Sequence, residues 1–223
     1  VVNYYSNEEG AQSCVAGIEA LGRYGLAHQA DITDLTAIEA MVNTTVERFG
    51  RLDILVNGVG IVTRKKELAD WTEADWDFVV DATLKGTFFT SQRAAKVMTE
   101  QKWGRIINIS TTAAKLANEL YAPYITAKGG VDAMTLALAL ELAPHGITVN
   151  AVRPPIVPVE RNRSRWSFYQ EQVVPFIPMG RLCRPEDIGA AVVLFASPEA
   201  EYITGQIIAV DGGWTSRPAY PLP

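Results

Sequence analysis

The chain has 223 residues, of which 48% are hydrophobic and 20% are charged, with a formal net charge of −5. These values fit one globular domain with a full core, and the negative charge argues against a surface for nucleic acid or anionic membranes. With 2 cysteines, 2 histidines and no run of ~18 apolar residues, a disulfide framework, a zinc site and a membrane span are not expected, and a reducing, cytoplasmic location fits.

Short apolar runs alternate with helical segments along the whole chain. The predicted strands comprise residues 1–5, 26–30, 52–56, 106–109, 148–152 and 206–210. The predicted helices run from a cap at Ser6 or Asn7 to about residue 21, over 35–49, over 73–100 with a break around 82–85, from Tyr124 to about 142, and from 184–187 to about 196. This alternation predicts an α/β fold with a doubly wound parallel sheet, in a single domain over residues 1–223.

The stretch from residue 106 to residue 128 concentrates the candidate chemistry. A β-branched run ends in three hydroxyl residues, Ser110, Thr111 and Thr112. Ligands of an open α/β sheet bind where its strands end, so we expect these hydroxyls at the ligand-binding edge. Tyr124 and Lys128 follow at positions i and i+4 of a helix, where an ammonium beside a phenol lowers the pKa of the phenol and favours proton transfer. For this pair alone, a chance Tyr-x-x-x-Lys is the alternative.

Six short motifs stand in order along the chain: Asp31, Asn57-Gly58-Val59-Gly60, Asn108-Ile109-Ser110-Thr111, Tyr124-x-x-x-Lys128, Val149-Asn150-Ala151-Val152-Arg153-Pro154, and Thr204-Gly205-Gln206 before Val210-Asp211-Gly212-Gly213. In order and spacing they resemble the short-chain dehydrogenase/reductase family, nearest to its branch of 3-oxoacyl-carrier-protein reductases. The resemblance implies a Rossmann-like fold and an NAD(P)(H)-dependent oxidoreductase that interconverts a ketone and a secondary alcohol.

The resemblance also implies residue roles. Tyr124 would be the general acid or base, and Lys128 would hold the nicotinamide ribose and lower the pKa of the phenol. The cofactor would further contact Asp31 and Ile32 at the adenine, Asn57, Gly58 and Gly60 through their backbone at the adenosine ribose, and Pro154 and Val157 beside the nicotinamide. A plain helix N-cap is the alternative for Asp31.

Several positions depart from the family pattern. Thr111 stands where the family has its substrate-orienting serine, and its hydroxyl still permits a hydrogen bond to substrate. Thr83 replaces an asparagine that relays protons to the lysine, and a hydrogen bond back to its own helix is its alternative role. Pro155 and Val159 replace a glycine and a threonine, which leaves the backbone of Val157 as the main contact for the nicotinamide.

The family's first strand and its glycine-rich turn are not found in this sequence. In the family order, 3-2-1-4-5-6-7, that strand is central, so the strands at residues 1–5 and 52–56 would lose a shared neighbour and leave backbone groups unpaired. A real deletion and the omission of about thirty N-terminal residues, one βα unit, are the two explanations, and we favour an N-terminally incomplete domain.

The predicted cofactor is NADP, with NAD as the alternative. Tyr4 stands where NAD-preferring members carry an acid, and Ser6 and Asn7 could donate to a 2′-phosphate.

The substrate is predicted to be a small carbonyl or alcohol compound. Residues 153–180 occupy the place of the family's substrate loop and carry Arg161, Arg163 and Arg165 among aromatic residues. A lid for an acidic or acyl-carrier substrate and a solvated amphipathic helix with its aromatics packed inward are both open. The apolar helix at residues 131–143 predicts a homo-oligomer, a dimer or a tetramer. A non-catalytic relative that serves binding or assembly is the alternative function.

Overall fold

The structure is a computed structural model that describes residues 1–62, 65–117 and 119–216, without the side chain of Arg161. The strands are β1 (Val2–Tyr4), β2 (Ala27–Gln29), β3 (Ile54–Asn57), β4 (Gly104–Ile109), β5 (Ile147–Arg153) and β6 (Ile207–Ala209). The α-helices are α1 (Glu8–Ala20), α2 (Leu35–Phe49), α3 (Glu73–Val80), α4 (Gly86–Gln101), α5 (Ala113–Leu116), α6 (Ala122–Leu142), α7 (Trp166–Gln172) and α8 (Pro185–Ala196). A π-helical turn (Asp81–Lys85) joins α3 to α4, and 3₁₀ turns comprise Leu68–Asp70, Ala143–His145, Glu160–Arg165, Val174–Phe176, Pro198–Ala200 and Trp214–Ser216.

Local capping explains why the predicted helices form where they do. The Asp34 side chain accepts a hydrogen bond from the N–H of Thr36 at 2.8 Å, and Gly50 ends α2 in the left-handed region with φ of 77°. Asn7 caps α1 in the same way, through a bond from the N–H of Gly10. Helix α2 therefore has the predicted bounds, and the predicted break in the third helix is the π-helical turn.

The strands form two separate parallel sheets. One has the order β1-β2 and the other the order β3-β4-β5-β6. The observed orders match the family order with its central strand left out, so the predicted loss of a shared neighbour between the first and third strands is found.

A cleft of about 480 Å³ lies between the two sheets, lined by Asn3 of β1 and by Ile54, Leu55 and Val56 of β3. The backbone groups that face it follow from the ladders, since alternate residues of a parallel strand bond to one side. The backbone groups of Val2 and Tyr4 form hydrogen bonds on the β2 side, so the N–H and carbonyl of Asn3 point toward the cleft. The N–H of Arg105 donates to the carbonyl of Asp53, which faces β4. Because the facing side alternates along the strand, the N–H and carbonyl groups of Ile54 and Val56 point away from β4. Ile54 and Val56 are 42% and 44% exposed, although every residue of the predicted strand is apolar except Asp53.

The larger sheet is covered on both faces. On one face, Ile106 and Val149 pack with residues of α4 and α6, among them Ala94, Met98 and Ala139. On the other face, Ile107 and Val152 pack around Phe195 of α8. The two layers place the start of α6 beside the carboxyl end of β4. Among the described helices, none combines the length and the apolar character needed to cross a membrane.

Candidate active site

Tyr124 and Lys128 lie one turn apart in α6, a helix whose first turn contains Pro123 and so starts with a favourable φ. Both side chains reach the loop after β3. A Cβ atom added to Gly60 of that loop would lie 3.0 Å from Cε and 3.1 Å from Nζ of Lys128, and 3.8 Å from Cε2 of Tyr124. Tyr124 is partly buried and Lys128 is 3% exposed. The ammonium and the edge of the phenol ring therefore meet at Gly60, where a Cβ atom would press against the end of the lysine side chain.

Two backbone carbonyls hold the Lys128 ammonium. Nζ donates to the carbonyl of Val59 at 3.0 Å and to the carbonyl of Ile109 at the end of β4. Burial lowers the pKa of Lys128 to about 8, and the carboxylate of Asp132 acts in the opposite direction. The lysine thus connects the loop after β3 to the carboxyl end of β4. The lysine side chain loses its proton near pH 8.

Thr83 supports the same loop from the π-helical turn. Its side chain is fully buried, and Oγ1 accepts a hydrogen bond from the N–H of Ile61 at 3.2 Å. The sequence left this threonine either in a proton relay or bonded back to its own helix. The structure gives its oxygen a loop partner one residue beyond Gly60, so that Thr83 and Lys128 fix the loop from opposite ends. The role of its hydroxyl in a proton relay stays a prediction.

The hydroxyl residues after β4 lie at the sheet edge, as predicted. Oγ1 of Thr111 accepts a hydrogen bond from the N–H of Ala113 at 3.3 Å, and the N–H of Thr112 donates to the carbonyl of Pro154 at 2.9 Å. Ser110 is 2% exposed, and its Oγ has no hydrogen-bond partner among the described residues. Such a buried polar atom marks a place where a further polar group would be stabilised.

Most predicted cofactor residues surround this edge or the cleft. Gly58 and Ile32 line the cleft between the sheets. Asp31 Oδ1 accepts from both the N–H and the hydroxyl of Thr33 at 2.8 Å, so it shapes the turn before α2, while Asp34 is the N-cap. A Cβ atom added to Gly58 would meet nothing within 4 Å, which leaves its backbone open to a ligand. The predicted phosphate donors are exposed, and the Asn7 side chain also caps α1.

The side chain of Asn57 belongs to a buried polar network that sequence reasoning missed. Its Nδ2 donates to Ser91 Oγ and to Asn108 Oδ1, both at 2.9 Å, and Asn108 Nδ2 donates to Thr135 Oγ1 at 2.9 Å. The network joins β3, β4, α4 and α6 and occupies the amide nitrogen of Asn57, which fits a role for Asn57 through its backbone. The available signal was an asparagine inside the run Ile-Ile-Asn-Ile, a polar residue where a buried strand favours apolar ones.

Pro154 and Val157, the residues predicted to contact the nicotinamide, lie at the start of the segment that follows β5. Pro154 and Val157 are partly buried, and the carbonyl of Val157 accepts a hydrogen bond from Asn162 Nδ2 at 2.8 Å. Farther along, Trp166 and Phe168 are 37% and 58% exposed, so the expectation that the aromatic residues here pack inward is wrong for these two, whereas Tyr169 is partly buried. The predicted Arg161 side chain lies outside the described part.

The described residues contain no group of three or more His, Cys, Asp or Glu side chains that could hold a metal ion. The polar groups of the site are hydroxyls, a phenol, an ammonium and backbone amides. Such a set suits proton transfer and hydrogen bonding to an organic ligand.

The sequence matches known proteins over nearly its full length. A family model described as enoyl-(acyl carrier protein) reductase matches residues 1–215. A 3-oxoacyl-[acyl-carrier-protein] reductase FabG of Staphylococcus aureus is 40% identical over 212 residues, 95% of this chain and 86% of that protein. A 3-oxoacyl-[acyl-carrier-protein] reductase of Synechocystis is 38% identical over 214 residues, 96% of this chain and 85% of that protein.

Solved structures agree with the sequence matches. A protein of Sinorhizobium meliloti, assigned provisionally as a short-chain alcohol dehydrogenase, superposes with a TM-score of 0.90 at 33% identity. The match covers 96% of this chain and 85% of that one.

Proposed function

This chain belongs to the short-chain dehydrogenase/reductase family, and on that premise we propose that it interconverts a ketone and a secondary alcohol with NADP(H), using Tyr124 as the proton donor or acceptor. The observation that supports the proposal most strongly is the convergence of Tyr124 and Lys128 on Gly60 at the carboxyl edge of the sheet.

The residues of this edge fit a nicotinamide dinucleotide. The open backbone at Gly58 and the orphaned Ser110 hydroxyl offer polar contacts, and Asp31 keeps its second carboxylate oxygen for an adenine amino group. The adenosine would be held by Asp31, Ile32, Asn57, Gly58 and Gly60, and the nicotinamide end by Lys128, Pro154 and Val157. Ser6 and Asn7 would donate to a 2′-phosphate, which favours NADP over NAD. When bound, the nicotinamide supplies or accepts the hydride.

In the proposed reduction, the Tyr124 hydroxyl donates its proton to the carbonyl oxygen of the substrate. The Lys128 ammonium stabilises the phenolate that results, because a positive charge nearby favours the ionised phenol. The Thr111 hydroxyl orients the substrate oxygen. Thr83 would serve the proton relay to Lys128. It also holds the Val59–Gly60–Ile61 loop, whose position determines where the ammonium lies.

The test compares Tyr124→Phe with Tyr121→Phe, which changes the neighbouring tyrosine at the start of the same helix. Consumption of NADPH with a set of ketones is followed by absorbance, and NADPH binding by nicotinamide fluorescence. Tyr124→Phe should lower kcat by at least about 10²-fold, as expected for loss of a general acid, with NADPH affinity nearly unchanged. Tyr121→Phe should turn over like the parent. Equal activity of the two variants would refute the role of Tyr124, and NADPH binding without any turnover by the parent would point to a non-catalytic binding protein.

The protein is further proposed to be a homo-oligomer that associates through α4 and α6. Phe88, Leu136 and Leu140 on these helices are 39%, 49% and 81% exposed, an apolar surface of the kind that marks interfaces. Light scattering should give a mass that is a multiple of 24.4 kDa, and a monomer would refute the association.

A further inference from the structure

A buried ion pair lies directly beyond the proposed catalytic lysine. Asp132 follows Lys128 by one turn of α6, and Arg153 is the last residue of β5. Nε and Nη2 of Arg153 both donate to Oδ2 of Asp132, at 3.0 Å and 2.7 Å. The two side chains are 22% and 10% exposed, so solvent screens their charges only weakly.

The two oxygens of Asp132 have different surroundings. Oδ2 takes both hydrogen bonds from Arg153, whereas Oδ1 is buried and has no hydrogen-bond partner among the described residues. Part of the carboxylate charge is therefore not neutralised by hydrogen bonds and acts on nearby charges. The nearest ammonium along the same face of α6 is that of Lys128.

We propose that Asp132 and Arg153 are a positioning pair for the reaction proposed above, in which the Asp132 carboxylate is the counter-charge of the Lys128 ammonium and Arg153 fixes that carboxylate and limits its effect. The two hydrogen bonds that the described residues give the Lys128 ammonium go to neutral carbonyls, those of Val59 and Ile109. A carboxylate one turn away is the charge that raises its pKa against the effect of burial.

The other charged groups on elements that pack against α6 are exposed or paired elsewhere. Asp81 and Lys85 on the π-helical turn pair with each other at 3.3 Å and are 39% and 46% exposed. Within the described part of the chain, the other groups are Glu73, Asp77, Lys96, Glu100, Lys115 and His145, all exposed, the exposed Lys65 over the ring of Tyr121, Asp75 paired with Lys66, Arg93 paired with Glu39, and Arg105 at the opposite end of β4. Tyr124 is the remaining titratable neighbour of Lys128, and it is part of the proposed reaction.

If Asp132 and Arg153 act as proposed, a variant of each should shift the pKa of Lys128, and the two shifts should have opposite directions. Asp132→Asn removes the counter-charge, so the ammonium should lose its proton at lower pH. Arg153→Met removes a positive charge and leaves the full carboxylate to act on Lys128, so the ammonium should lose its proton at higher pH. Each shift should be about 1 pH unit, the lower end of the effect of a charge within a few ångströms. A purely structural role would lower activity or stability in both variants without opposite shifts.

The experiment titrates Lys128 directly, by NMR of the full chain labelled with ¹³C at lysine Cε, with Lys128→Arg used to assign the signal. The same variants are assayed for the pH dependence of kcat/KM with NADPH and a ketone. Asp53→Asn is the control, because Asp53 forms a bidentate pair with Arg51 at 2.7 Å on the protein surface and should leave both profiles unchanged.

Opposite shifts of the Lys128 signal in Asp132→Asn and Arg153→Met support the proposal. No shift, or shifts in the same direction, overturn it. The NMR titration needs no turnover, so absence of ketone reduction by the parent protein would refute the proposed function and still leave the positioning pair tested.

Discussion

The depressed pKa of Lys128 makes the stability of the protein depend on alkaline pH. The ordinary pKa of a lysine is 10.5, and in the folded protein that of Lys128 is about 8, chiefly because burial disfavours the charge. Between these values the unfolded chain still holds the proton that the folded chain has lost. The free energy of unfolding therefore rises with pH through this window.

The magnitude follows from the two pKa values. Integrated from pH 7 to pH 10, a group that moves from 10.5 to about 8 contributes roughly 2 to 3 kcal/mol. Below pH 8 its contribution is constant, because both states hold the proton.

Urea unfolding at several pH values measures the effect, with Lys128→Met as the reference that cannot titrate. Both proteins carry Tyr124→Phe, so that the phenol coupled to Lys128 does not titrate. Subtracting the variant from its Lys128 parent then cancels the remaining tyrosines and the other lysines, and the difference should rise by that amount across the window. Parallel curves for the two proteins would refute the buried, desolvated ammonium, and with it the electrostatic basis of the site.

Three further predictions concern the loop and the cleft. Gly60→Ala places a Cβ atom 3.0 Å from Cε of Lys128 and should lower kcat/KM at least about tenfold by displacing the ammonium. The control is Gly129→Ala, where nothing lies within 4 Å of the added atom, and it should retain activity. Equal effects of the two variants would contradict the steric argument. Thr83→Val leaves the N–H of Ile61 without its acceptor and should lower the free energy of unfolding by about 1–3 kcal/mol, as measured by chemical denaturation. Thr83→Ser keeps a hydroxyl and should lose less. A serine variant as unstable as the valine variant would argue against this bond. An apolar strand with a connecting helix, fused before Val1, should pair with both open edges of the cleft. Burial of the parts of Ile54 and Val56 that are still exposed, 42% and 44%, should raise the free energy of unfolding by about 1–3 kcal/mol. A glycine-serine segment of equal length is the control, and equal stability of the two fusions would refute strand pairing.

The sequence predicted those features that depend on near neighbours. The bounds of α2 follow from Asp34 and Gly50, which act within one turn of the helix ends. The Tyr124 and Lys128 pair follows from helical spacing, and the parallel sheet from the alternation of strands and helices. The separation of the two sheets also followed, once the family order identified the strand that is not found.

The features that sequence did not predict depend on contacts between distant segments. Thr83 bonds to Ile61, and Asn57 to Asn108, across stretches whose spacing carries no periodic signal. The exposure of Ile54 and Val56 depends on which strand lies beside β3 and not on β3 itself. The Asp132 and Arg153 pair joins α6 to β5 and becomes visible only when both are packed.

The amide of Asn57 has a consequence for how the chain selects its native strand alignment. Asn57 and Asn108 are direct partners in the β3–β4 ladder, with Val56 opposite Ile107 and Leu55 opposite Ile106. A slip of β3 by two residues keeps each side chain on its own face of the sheet, so it would cost less in hydrophobic contact than a slip by one. It would, however, leave two amides in the interior without partners, a cost of about 1–3 kcal/mol for each unsatisfied group. The asparagines thus make a misaligned β3–β4 pairing unfavourable, which isoleucine or valine at these two positions would not do.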